Sequence, residues 1–129
     1  MTTSRVSVTG PASPETAWQR YVHPGLWRTW SPQIRFVEYD HPVLVPGTRG
    51  TVRTFGGIGI PFAIEEVAAA ERTWTWRVRV GGLSLRLHHG VLPHAQGSET
   101  WLAVSGPPVI SPAYARIATI ALRRLLRRE

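Results

Sequence analysis

At 129 residues, with 43% hydrophobic and 18% charged side chains, the chain has the size and composition of one globular domain rather than a disordered segment. No apolar run reaches the ~18 residues of a membrane-spanning helix, the N-terminus has no signal-peptide stretch, and the lack of cysteine removes disulfides, thiolate chemistry and cysteine metal sites, so a cytoplasmic protein is expected. The net charge of +7 rests on fifteen basic residues that are all Arg, and since Lys and Asn are both missing, a GC-rich coding sequence accounts for part of the excess; charge alone implies only nonspecific attraction to anions.

The first alternating segment, Ser4 to Thr9 with Val6 and Val8 on one face, predicts a strand. Ser13-Pro14-Glu15 then has the chemistry of a helix start: a capping hydroxyl, Pro at the first helical position and an acid near the positive end of the dipole. That helix runs through Trp18 and Tyr21-Val22 to Pro24-Gly25, which breaks it. A short helical turn carrying Leu26, Trp27 and Trp30 follows before Pro32 forces the chain extended. Strands are predicted over 33–40, 48–55 and 60–68, separated by Pro46-Gly47 and Gly56-Gly57.

Arg72 to Val80 alternates, with Trp74, Trp76, Val78 and Val80 on one face and Thr75, Arg77 and Arg79 on the other. Gly81-Gly82 suits a two-residue hairpin, and Leu83, Leu85, Leu87, His89 and Val91 continue the apolar face beyond it. The register follows: Val80 opposite Leu83, Val78 opposite Leu85, Trp76 opposite Leu87 and Trp74 opposite His89. Gly97 to Ser105 is the last strand. Ser111-Pro112 repeats the earlier capping pattern and opens a helix whose apolar stripe is read as Tyr114, Ile117, Ala118, Ala121, Leu122 and Leu125, with Arg116, Arg123 and Arg127 opposite.

The predicted architecture is a single α+β domain over residues 1–129, in the order β-α-α-β6-α. A curved antiparallel sheet of six to seven strands packs its apolar face on the C-terminal helix. A straight helix cannot fill a strongly curved sheet, so the remaining space is expected either as a core of large side chains or as a pocket for a small hydrophobic molecule. From the sheet, Phe62, Trp74, Trp76, Leu85, Leu87 and His89 are the candidate contacts; Trp30, Tyr114 and Ile117 are the candidates from the helical segments. His89 is the one ionisable group on its face. Burial would keep it neutral, either as a ligand contact or general acid/base, or as a core histidine satisfied by the backbone.

Other chemistries fare worse. His88 and His89 point to opposite faces, His94 lies beyond Pro93, and no partner stands at zinc-site spacing, so neither a metal nor another cofactor is expected. Gly56-Gly57-Ile58-Gly59 joins two strands instead of opening a helix, unlike a phosphate loop. Arg77 opposes Arg86 on the outer face, where Glu65 or Glu66 can offset the repulsion. Arg123-Arg124 and Arg127-Arg128 suit a helix C-terminus; the weakest reading makes them a nucleic-acid or membrane-surface contact, and no sequence-specific nucleic-acid partner is expected.

The element order, together with Pro14-Glu15-Thr16-Ala17-Trp18, Leu26-Trp27-Arg28-Thr29-Trp30-Ser31-Pro32, Pro46-Gly47-Thr48, Ile64-Glu65-Glu66-Val67, Trp76 and Gly97-Ser98, resembles a known superfamily. It is the START and birch-pollen-allergen superfamily, SRPBCC, and within it the polyketide cyclase/dehydrase-like branch. The resemblance spans the chain and implies a helix-grip fold. It also implies a carrier or sensor of a hydrophobic, ring-containing ligand, or alternatively a polyketide cyclase/dehydratase using inward polar residues. Scarcity of such residues favours binding: only His89 qualifies, and the facing of Glu38, Asp40, Glu65 and Glu66 is open. The sequence leaves oligomeric state undefined.

Overall fold

Side-chain alternation decides most of the architecture. The structure, a computed structural model, describes residues 2–128. Seven antiparallel strands form one sheet: β1 (Thr2–Gly10), β2 (Ile34–Glu38), β3 (Arg49–Thr54), β4 (Gly59–Ala68), β5 (Thr73–Val80), β6 (Leu83–His94) and β7 (Gly97–Gly106). Their spatial order is β1-β7-β6-β5-β4-β3-β2, a meander to which β1 is added beside β7. The first two strands in sequence therefore lie at opposite edges. Helix α1 (Pro14–Val22) and a 3₁₀ turn (Pro24–Thr29) connect them along the buried side.

The hairpin register is the one the Gly81-Gly82 turn requires, with Val80 opposite Leu83, Trp76 opposite Leu87 and Trp74 opposite His89. Gly81 has φ +62°, a conformation that costs a residue with a Cβ. The Arg77–Arg86 pair also forms, and Glu65 bonds both guanidiniums at 3.1 and 2.8 Å. A bulge between Ile64 and Glu66 makes this possible. It absorbs one residue, so Phe62, Ile64 and Val67 share the buried face while both glutamates point outward. Ser13 caps α1 as expected, accepting from the Thr16 N–H at 3.1 Å, with Pro14 first in the helix.

The last helix, α2 (Ile110–Leu125), packs on β1 and β7 across the buried face of the curved sheet, which is the helix-grip arrangement. Two details of α2 differ from expectation. Its start is not capped by Ser111: the Pro107 carbonyl already accepts from the Ile110 and Ser111 N–H groups, so the helix begins earlier. The buried Ser111 hydroxyl donates instead to the Thr2 carbonyl at 3.1 Å. The apolar stripe holds except at one position: Leu122 and Leu125 are buried, Tyr114, Ala118 and Ala121 pack partly buried against the core, and Ala115 joins them, whereas Ile117 is 69% exposed.

The C-terminal end of α2 is held by α1. The Arg20 guanidinium donates to the Leu125 and Arg127 carbonyls at 2.6 and 2.9 Å, and the Ala12 N–H donates to the Leu126 carbonyl at 2.9 Å. These are the acceptors a helix end leaves unpaired, and a cation suits the negative end of the dipole.

Candidate functional site

A wall of aromatic rings forms where the 3₁₀ turn meets β5 and β6. Trp27, Trp74 and Trp76 are mutually in contact at centroid separations of 4.9 to 5.7 Å. His89 lies parallel to Trp74, with centroids 4.2 Å apart and planes 8° from parallel. Such packing is expected of large flat side chains alternating on one strand face and on its register partner.

Between these rings and α2 lies a cavity of about 90 Å³. Trp27, Trp30, Trp74, Trp76 and His89 form its aromatic side, and Val52, Ile60 and Val78 its aliphatic side. Tyr114 and Ala121 border it from α2, Ser31, Gln33 and Ile34 from the segment after the turn, and Val80 from the hairpin end. The space persists because α2 presents alanine where a larger side chain would fill it. Among the described residues, none that lines it carries a full charge at neutral pH.

The four tryptophans of the cavity differ in what their indole N–H groups do. Trp27 donates to the Tyr21 carbonyl at 2.7 Å and Trp30 to the Arg20 carbonyl at 3.1 Å. Both carbonyls belong to the last turn of α1 and have no acceptor role inside that helix. Trp27 and Trp30 are thereby fixed to the scaffold. Trp74 Nε1, Trp76 Nε1 and His89 Nδ1 are buried and have no hydrogen-bond partner among the described residues.

Burial drives the His89 pKa from 6.5 down to about 3, opposed by the Trp74 backbone and helped by the nearby His88. The imidazole is therefore neutral at physiological pH. Tyr21, packed on the same ring at 5.3 Å, is committed elsewhere. Its hydroxyl and Thr100 Oγ1 are 2.5 Å apart, and since Thr100 donates to the Gly90 carbonyl at 2.9 Å, Tyr21 is the donor of the pair. Burial raises the pKa of both Tyr21 and Tyr114.

Of the residues expected at the site, Trp30, Trp74, Trp76, His89 and Tyr114 line the cavity. Phe62, Leu85 and Leu87 do not: they are buried in the core, Phe62 against Trp27 and Trp76. Ile117 points away from the sheet because the phase of α2 is set by its contacts to β1 and β7. Sequence reasoning gave no role to Ser31, Gln33, Val52 or Ile60 and placed Ala121 only on the apolar stripe of the last helix; alternation could have placed Val52 and Ile60 inward, but no sequence signal marks Ser31 and Gln33. Glu38 bonds Arg53 at 2.8 Å and Glu65 bonds Arg77 and Arg86, and none of Glu38, Asp40, Glu65 and Glu66 borders the cavity.

On the outer face, Trp101 covers Gly90 so closely that no Cβ fits there. The Arg5 guanidinium lies 4.4 Å from the Trp101 ring centroid, and His88 packs edge-on at 4.9 Å.

The family described as polyketide cyclase / dehydrase and lipid transport matches residues 1–129. No curated protein matches the chain. Solved structures similar to it include protein CV1439 from Chromobacterium violaceum, 16% identical with a TM-score of 0.73, covering 98% of this chain and 96% of that one. Ara h 8.0201 is 16% identical with a TM-score of 0.76, covering 96% and 94%. The di-domain ARO/CYC BexL from the BE-7585A biosynthetic pathway is 13% identical with a TM-score of 0.75, and the match covers 98% of this chain but 45% of BexL. At these identities the likeness is one of fold. Among the described residues no helix is long and apolar enough to cross a membrane.

Proposed function

The chain belongs to the polyketide cyclase/dehydrase and lipid transport family of the SRPBCC superfamily, and from that premise we propose that it binds a small hydrophobic, ring-bearing molecule in the cavity beneath α2. The observation that carries this reading is the uncharged, aromatic-walled cavity in a chain with fifteen arginines. A wall of flat rings favours a flat ligand. The volume of about 90 Å³ is below the ~150 Å³ that accommodates benzene in an engineered protein cavity. A ring that exceeds this space therefore extends toward the exposed lining residues, among them Gln33 and Val80.

The catalytic alternative asks for an acid or base that exchanges protons near neutral pH. His89, with a pKa of about 3, is a weak base and carries no proton to give as an imidazolium. The carboxylates considered from the sequence lie outside the cavity. Binding is accordingly preferred over cyclisation or dehydration. Native mass spectrometry of protein purified from its host tests the proposal. A bound small molecule should be retained by the wild type and lost in Ala121→Leu, which adds three carbon atoms to the cavity wall while the fold persists. Retention by Ala121→Leu at the wild-type level would refute it.

A further inference from the structure

Trp74, Trp76 and His89 each bury a polar atom that has no hydrogen-bond partner among the described residues, and all three side chains line the same cavity. They are 1%, 8% and 6% exposed, so bulk solvent does not reach them freely. Buried polar groups in folded proteins nearly always have a partner, and a stranded one carries a desolvation cost. Three stranded atoms in one place, with ring centroids 4.2 to 6.4 Å apart, are unlike the rest of this interior. Trp27 and Trp30, in the same cavity, are both satisfied by α1.

The chemistry of the partner follows from the atoms. An indole N–H only donates, so what meets Trp74 and Trp76 must accept. Among the described residues no cation lines the cavity, although the chain holds fifteen arginines, so a carboxylate or phosphate would be buried without compensation. The acceptor is then neutral and small enough for a cavity of about 90 Å³. A carbonyl oxygen meets all of these conditions, having two lone pairs and no charge. His89 Nδ1 offers a third polar contact, as donor or acceptor according to the tautomer.

We propose that the inner end of the cavity recognises a neutral carbonyl oxygen on the ligand through the indole N–H groups of Trp74 and Trp76, with His89 as the stacking and polar neighbour. This rests on the cavity being a hydrophobic-ligand site, and it specifies the group such a ligand carries.

The test uses a pair of probes with nearly the same shape. Cyclopentanone and methylenecyclopentane differ in that a carbonyl oxygen replaces an exocyclic CH₂. Binding of each is followed by ¹H–¹⁵N correlation spectra of the indole N–H signals in the full-length protein. Cyclopentanone should bind about tenfold more tightly, as expected for two hydrogen bonds of modest net strength, and move two indole signals downfield. Those signals should be the ones lost in Trp74→Phe and Trp76→Phe, and each variant should reduce the preference about threefold. Equal affinity of the two probes, or unmoved indole signals with cyclopentanone bound, would overturn the carbonyl proposal and leave the hydrophobic site standing. Binding of neither probe would overturn both. The wild-type comparison decides even where a variant fails to fold.

Discussion

Acidification should destabilise this protein through His89 in a window set by burial. Its pKa is 6.5 when unfolded and about 3 in the fold. Between those values the unfolded chain binds a proton that the native state refuses, so stability falls as pH falls. Above pH ~6.5 neither state is charged at this position and the contribution is flat. Within the window each pH unit costs about 1.4 kcal/mol. Moving from about pH 7 to about pH 5 should therefore cost ~2 kcal/mol from this residue, which shifts a urea midpoint by about 1 M. Urea unfolding followed by tryptophan fluorescence, at both pH values, in wild type and His89→Leu, isolates the effect. His88, whose pKa burial also lowers, and all carboxylates are retained in both proteins. The variant should lose ~2 kcal/mol less than the wild type over that interval. Equal losses in the two proteins would refute the assignment of a buried neutral imidazole.

Other substitutions test other parts of the structure. Trp27→Phe strands the Tyr21 carbonyl and should cost ~1–3 kcal/mol beyond its packing loss, whereas Trp76→Phe strands nothing and should cost less; paired denaturation curves compare them. Gly90→Ala must displace the Trp101 indole and should lower stability by about 1–3 kcal/mol, with a changed near-UV circular dichroism signal. Glu65→Ala leaves Arg77 and Arg86 facing each other, yet the group is surface-exposed, so the loss should stay below ~1 kcal/mol and shrink in high salt. Any binding of nucleic acid should collapse between low and physiological salt in an electrophoretic shift assay, as electrostatic phosphate contacts do.

The residues that made the fold legible are those whose periodicity has no competitor. The alternation on both sides of Gly81-Gly82 determines a register and a buried face at once, and from it follow the Trp74–His89 pair and the Arg77–Arg86 pair. The β4 bulge was not legible, because Glu65-Glu66 reads as an interruption of alternation and nothing local says that one residue will be looped out. The start of α2 misleads for a related reason: Ser111-Pro112 has the chemistry of a cap, but the hydroxyl finds a partner in Thr2, over a hundred residues away in sequence. Likewise the phase of α2 is set by its packing on β1 and β7, so Ile117 could not be placed from its own helix alone. Inward-facing aromatics were readable. Whether the space among them stays open or is filled by the rings was not, since it depends on how far Ala121 stands from them.

Arg20 joins parts of the molecule that matter to anyone attaching something to it. Its carbonyl receives the Trp30 indole of the cavity wall, and its guanidinium holds the carbonyls of Leu125 and Arg127. At the other terminus, Thr2 pairs with Gly106 and accepts from Ser111 at the start of α2. A tag or fluorophore at either chain end therefore acts on the helix that borders the binding space. The β3–β4 hairpin offers a quieter handle at Gly56, which is exposed and where the nearest atom to an added Cβ is the Thr54 hydroxyl 3.9 Å away, whereas Gly57 has φ +81° and resists a side chain. A label inserted at that tip leaves both helix ends, and the indoles they steady, as the fold arranged them.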